Sequence, residues 1–198
     1  MTNKEEKFSL EEAIEKIGDS DVEVRKMAVN SLEGTRDEIA IDPLIEAMKD
    51  ENTPVRHKAA EIIGNMGDTV VDKLINIVNN EEGEYKRFAS FALKLTGSEK
   101  AIDYFTSAIN DEDFGVRKIA VRSLGELKAK DKIDDIAKVM MEEEDWGVRL
   151  AAIRALGDMG VEEAIDPIKK ARRKEKDKDF KKAANKAIKK IEKVTKKK

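Results

Sequence analysis

Two stretches of this chain are near copies of each other: Asp113-Phe114-Gly115-Val116-Arg117-Lys118-Ile119-Ala120 and Asp145-Trp146-Gly147-Val148-Arg149-Leu150-Ala151-Ala152. Their central phrase, Val-Arg-x-x-Ala, also begins at Val24 and Val55, and weaker copies stand at Tyr85-Lys86 and Phe180-Lys181. From Arg25 through Arg56, Lys86, Arg117, Arg149 and Lys181 the spacings are 31, 30, 31, 32 and 32 residues. A fixed period of this size means one supersecondary unit repeated about six times, each burying its apolar stripe against its neighbours.

Each unit reads as two helices. In Ala40-Ile41-Asp42-Pro43-Leu44-Ile45-Glu46-Ala47-Met48, residues Ile41, Leu44, Ile45 and Met48 fall on one face of a 3.6-residue period. Pro43 fits there because a first-turn N–H has no intrahelical partner to lose. A polar turn follows, and Pro54 opens a second helix through Val55, Arg56 and Ala59. Asp21, Asp113 and Asp145 stand where an oxygen can accept the exposed N–H groups of a new helix. Alanines three residues after each Arg or Lys mark (Ala28, Ala59, Ala89, Ala120, Ala152 and Ala184) permit close helix approach. Gly34, Gly64, Gly67, Gly97, Gly125, Gly157 and Gly160 are expected to end the second helices in the left-handed conformation.

Composition narrows the functions. With 40% hydrophobic and 41% charged residues, three prolines and no cysteine, the chain has a helical, charge-covered profile. The missing cysteines exclude disulfides, thiolate nucleophiles and cysteine-held metals, and the reading is of a cytoplasmic protein. No apolar run approaches the length needed to span a membrane, and no signal-peptide core follows the N-terminus. A net charge of −3 conceals an asymmetry, since residues 169–198 hold sixteen Lys or Arg against four acids, leaving −15 for residues 1–168. Such asymmetry marks either an interaction segment or a solvated terminal helix.

The pattern Asp-x-x-Val-Arg-x-x-Ala-x-x-x-Leu-Gly, followed by a turn and Ala-Ile-x-Pro-Leu-Ile, resembles the HEAT-like repeats of the phycobilisome-lyase type over about residues 9–193. The resemblance implies an all-α fold, a right-handed alpha-alpha superhelix of about six helix pairs forming a single domain over residues 1–198. The repeats fall near 9–34, 39–67, 69–97, 98–128, 131–160 and 162–193, with 194–198 a basic tail and the last pair a polar cap. It further implies a ladder in which each helix arginine bridges acidic or carbonyl groups of its own and the adjacent unit, with Asp21 beside Arg25, Asp113 beside Arg117, Asp145 beside Arg149, and Asp50 or Asn52 beside Arg56. A stripe of regularly spaced arginines could also bind anions; the ladder is the favoured reading, because a guanidinium fork between stacked units makes several charge-assisted bonds.

In arrays of this kind the second helices line the concave, binding side, and residues one and five after each Arg share a face there. Those columns run Lys26, His57, Arg87, Lys118, Leu150, Lys182 and Asn30, Glu61, Phe91, Arg122, Arg154, Lys186. They hold seven Lys or Arg and one acid, a positive strip in an acidic chain, suited to an acidic or amphipathic protein segment. Arg87, Phe91, Lys118, Arg122, Leu150 and Arg154 are therefore the expected partner-binding residues. Phe91 stands out, because its column should point outward and it lies in the aromatic-rich stretch from Tyr85 to Phe114. Trp146, in register with Phe114, reads instead as packing across the turn.

Catalysis has little to work with. His57 is the single histidine, so a centre of several His-Glu pairs like that of the related deoxyhypusine hydroxylase cannot be built, and His57 reads as an exposed helix residue. The acids Glu142-Glu143-Glu144-Asp145 fit helix-start complementation better than acid catalysis or magnesium binding. No enzyme activity, cofactor or metal is expected. The first expectation is a monomeric scaffold that binds another protein. The alternatives are nucleic-acid or ribosome association through Lys169–Lys198, and an assembly chaperone or bilin-lyase-like cofactor-delivery factor.

Overall fold

A computed structural model describes residues 7–196, and the chain divides into two compact units, Met1–Thr96 and Gly97–Lys198. Each unit holds three antiparallel helix pairs. The first contains α1 (Leu10–Lys16) with α2 (Val22–Ser31), α3 (Ile41–Ala47) with α4 (Thr53–Gly64), and α5 (Val71–Asn80) with α6 (Gly83–Thr96). The second contains α7 (Ile102–Ala108) with α8 (Phe114–Glu126), α9 (Ile133–Glu142) with α10 (Trp146–Met159), and α11 (Ile165–Lys174) with α12 (Lys178–Thr195). Among the described residues there is no strand, and no helix is long and apolar enough to cross a membrane. The all-helical repeat architecture is thus the one the period predicts.

Local chemistry starts five of the six second helices. Asp21, Asn52, Asp113, Asp145 and Asp177 are N-caps, their side-chain oxygens accepting N–H groups two or three residues on. Ser9 and Glu12 form a reciprocal capping box at α1. Behind these caps the apolar stripes close: Val55, Ala59, Val116, Ala120, Leu124, Val148 and Ala152 are all buried.

The glycines divide into two groups, which corrects the expectation that all of them end helices. Gly34, Gly67, Gly97 and Gly160 have positive φ, and Lys128 (φ 54°) takes the left-handed position in the fourth pair. Gly64, Gly125 and Gly157 lie within helices, where they let neighbouring second helices touch. A Cβ on Gly125 would sit 2.5 Å from the Ala155 Cα, and one on Gly64 would sit 2.5 Å from the Ala92 carbonyl oxygen. Second helices therefore stack backbone to backbone within each unit, and their remaining faces set out the side chains that can meet a partner.

Candidate binding face

The arginines of the repeat are committed to structure. Arg25 is buried; its Nε donates to Asp50 (2.6 Å), its Nη2 to Asp50 and Glu51, and its Nη1 to the carbonyl oxygens of Asp19 and Ser20. Arg117 repeats this with both oxygens of Glu143 (2.8 and 2.9 Å) and the carbonyls of Asp111 and Glu112. Arg149 donates to Glu175 (2.6 Å) and the Met140 carbonyl, and its guanidinium lies over the rings of Trp146 and Phe180. Trp146 is exposed on one side and lies 6.1 Å from the buried Phe180 ring of α12, so it packs toward the next helix pair and not across its own turn.

The acid of each ladder rung comes from the following helix pair and the carbonyls from its own, so the bridging across units is as expected, while Asp21, Asp113 and Asp145 are not the acids that meet the arginines. Asp21 accepts from the Glu23 N–H, Asp113 from Gly115 and Val116, and Asp145 from Val148. Helical side chains lean toward their own N-terminus, which brings the guanidinium over the turn carbonyls and beside the next turn. The gripping acids stand six residues before the next mark: Asp50, Glu143 and Glu175. Each also accepts the backbone N–H of the residue two positions on. Those bonds set the charge states. The Arg117 hydrogen bond holds Glu143 below the usual carboxylate range. Burial pushes Asp50 up, and the Arg25 and Asn52 bonds outweigh it. The Asp177 N–H, then Arg149, bring Glu175 down to about 2.

One rung is irregular. The third turn is a residue shorter, so Glu81, the residue following α5, stands five before Lys86, whereas Glu143 and Glu175 stand six before Arg149 and Lys181. Arg56 reaches the Asp50 and Glu51 carbonyls, Thr53 and the exposed Glu84, while its buried Nε has no acceptor.

The six expected partner-binding residues fall in both units. In the first, Arg87 and Phe91 stand on α6. Phe91 is half-buried, its ring 5.1 Å from His57 of α4 and tilted against it, so stacking between second helices covers a ring expected to project. His57 also meets the edge of Phe88 at 6.5 Å.

In the second unit, Lys118, Arg122 and Arg154 are exposed and Leu150 is half-buried. Arg122 lies 3.8 Å from Glu126, and the Lys118 ammonium stands beside Gly147 at the start of α10. Leu150 and Arg154 come together with α12 in a cleft of about 420 Å³. Leu150, Gly157, Ala183 and Ala187 give it an apolar floor. Arg154, Lys182 and Lys186 ring it, with Asp179, and with Asp158 held by Lys190 at 2.5 Å. Among the described residues Arg154, Lys182 and Lys186 meet no carboxylate within ion-pair distance. Lys182 and Lys186 belong to the two predicted columns. Asp158 and Lys190 were missed, although they stand nine after Arg149 and Lys181, one further turn along the same face.

The family model described as HEAT repeats matches residues 10–85, 71–140 and 116–189. Among solved structures, the complex of CpcE and CpcF of phycocyanin lyase from Nostoc sp. PCC7120 aligns with a TM-score of 0.69 at 18% identity, over 76% of this chain and 99% of that one. An engineered protein aligns with a TM-score of 0.56 at 18% identity, over 93% and 97%. A designed armadillo repeat protein in complex with a (KR)4 peptide aligns with a TM-score of 0.56 at 14% identity, over 93% and 100%. No curated protein matches the chain.

Proposed function

We propose that this chain, which belongs to the HEAT repeat family, is a non-catalytic scaffold that binds an acidic or amphipathic segment of another protein along the cleft between α10 and α12. The observation that carries this reading is the state of the cleft's cations. The arginines Arg25, Arg117 and Arg149 at the marks are locked into the ladder, whereas Arg154, Lys182 and Lys186 surround an apolar floor and are paired with no carboxylate among the described residues. A partner presenting apolar side chains to Leu150 and Ala187, with carboxylates on either side, satisfies both features at once. Identities of 14 to 18% carry over fold alone, so neither lyase chemistry nor the (KR)4 partner transfers to this chain. The cations here favour a segment of the opposite charge.

Selection of a randomised peptide library on the purified protein tests the reading. Recovered peptides should be rich in Asp and Glu interleaved with Leu, Ile or Phe. A single such peptide should bind the Arg154→Glu/Lys186→Glu variant at least about tenfold more weakly, roughly 1.4 kcal/mol. Enrichment of basic peptides, or equal binding by the variant, refutes it.

A further inference from the structure

The cleft uses one side of α12; the neighbouring side, about 100° around the helix for each residue step, raises a separate question. In the five preceding second helices the residue four after the Arg or Lys mark is buried: Val29, Ala60, Ser90, Val121 and Ile153. The residue eight after it is the packing glycine at Gly64, Gly125 and Gly157. In α12 these two positions are Asn185 and Lys189, both exposed, and the mark itself is Lys181. This side of α12 is thus exposed where the earlier second helices are covered at the first of these positions. The end of α11 extends it, for Arg172 donates to the Asn185 side chain and Arg173 beside it is exposed.

A polar cap explains why these residues are hydrophilic. It does not explain why they share one sign. A solvated end needs only polarity, and like charges at this density repel one another. The four local acids offset little of that repulsion, because two of them have their oxygens engaged, which leaves Asp179 and Glu192 among sixteen cations. Glu175 is gripped by Arg149 and by backbone N–H groups, and Asp177 caps α12. Among the described residues from 169 onward, Lys190 is the one cation that meets a carboxylate, and that carboxylate is Asp158 of the cleft.

We infer that the side formed by Arg172, Arg173, Lys181 and Lys189 is a second binding surface, for the phosphate backbone of a nucleic-acid duplex. No aromatic or large apolar anchor stands among these four, which disfavours a folded protein partner and sequence readout through bases. Positive charge spread along a rigid helix, in which Asp179 and Glu192 are the two acids, suits evenly spaced phosphates. The 18 residues of α12 extend about 27 Å, the length of about eight base pairs. Binding is then electrostatic, sequence-independent and steeply salt-dependent.

The test is fluorescence anisotropy of the full chain with a labelled 20-base-pair DNA duplex of mixed sequence, titrated between 50 and 200 mM salt. Four phosphate contacts give a slope of log K against log salt near −3.6, an affinity loss of roughly 150-fold over that range. Lys181→Gln/Lys189→Gln should halve the slope and leave the circular dichroism unchanged, whereas Leu150→Ala in the cleft should not alter the slope. Absence of binding at 50 mM salt overturns the inference. So does an unchanged slope in the double variant, or displacement of the duplex by an equal charge of polyglutamate.

Discussion

If the repeat arginines are structural, their removal must destabilise the stack in proportion to how well each acid is shielded, and two rungs of the same motif should then differ. Arg117 and Glu143 are 19% and 10% exposed and share two hydrogen bonds, whereas Glu84, the acid paired with Arg56, is 64% exposed. Breaking a buried pair by removing one partner costs about 3–5 kcal/mol, because the other charge is left uncompensated. With Arg117 partly wetted, Glu143→Ala should lie near the lower end, about 3 kcal/mol. Glu84→Ala should cost less than about 1 kcal/mol, as exposed pairs do. A double-mutant cycle over Arg117 and Glu143 should give about 2 kcal/mol of coupling, against less than about 0.5 for Arg56 and Glu84.

Urea unfolding measures both. Trp146, the only tryptophan, lies in the same unit as Arg117 and Glu143 and packs near Phe180, so its fluorescence reports that unit while ellipticity at 222 nm reports the whole chain. Equal costs for Glu143→Ala and Glu84→Ala refute the shielding argument. A cost below about 1 kcal/mol for Arg117→Ala would return the arginines to the pool of candidate ligand-binding groups.

Two further outcomes follow from the same contacts. In an exposed helix Gly→Ala gains up to about 1 kcal/mol, but at Gly125 the new Cβ meets the Ala155 backbone at 2.5 Å, so Gly125→Ala should destabilise by about 2 kcal/mol in urea titration; a stabilised variant refutes the close stacking of α8 and α10. Glu175 is held at about 2 against an ordinary 4.5, so its stabilising contribution is complete above about pH 4.5 and disappears as pH falls through about 2. Midpoints measured from pH 7 to 2 should stay level and then decline below about 4.5, with a shallower decline in Glu175→Gln; a variant curve parallel to the parent's shows that Glu175 contributes nothing to that decline.

The period, the helix pairs and the caps were legible because they rest on local chemistry: spacing of apolar residues, an acceptor before each helix, a proline in a first turn. The ladder's acids were present in the sequence too, six residues before each mark, yet the neighbouring acid four before it was the more conspicuous candidate. Nothing in the one-dimensional pattern says that Asp21 and Asp145 have their oxygens occupied by helix N–H groups. The glycines misled for a related reason. Gly64 and Gly67 are alike as letters, and only the stacked Ala92 backbone distinguishes a packing glycine from a left-handed one. Phe91 was placed in the correct column, but the partner that half-covers it, His57, comes from the preceding repeat and was read as a separate surface residue. Longer-range neighbours decided each of these points.

The same consideration separates the two roles of positive charge in the second unit. A guanidinium at the mark meets fixed carbonyls and a carboxylate from the next pair, and its hydrogen-bonding capacity is largely filled before any partner arrives. One helical turn further on, at Arg154, there is no such acid, and the desolvation that a partner imposes can be compensated only by groups the partner supplies. Under the proposed function, selectivity for acidic segments needs no special loop or cofactor. It follows from a repeat that engages the arginines at its marks internally, whereas Arg154, Lys182 and Lys186 at the cleft meet no carboxylate among the described residues. The short third turn marks the limit of that economy, since a single missing residue leaves the Arg56 Nε buried without an acceptor. Regular spacing is therefore what supplies each mark with its acid, and at the irregular rung Arg56 turns to Thr53, the exposed Glu84 and the Phe88 ring instead.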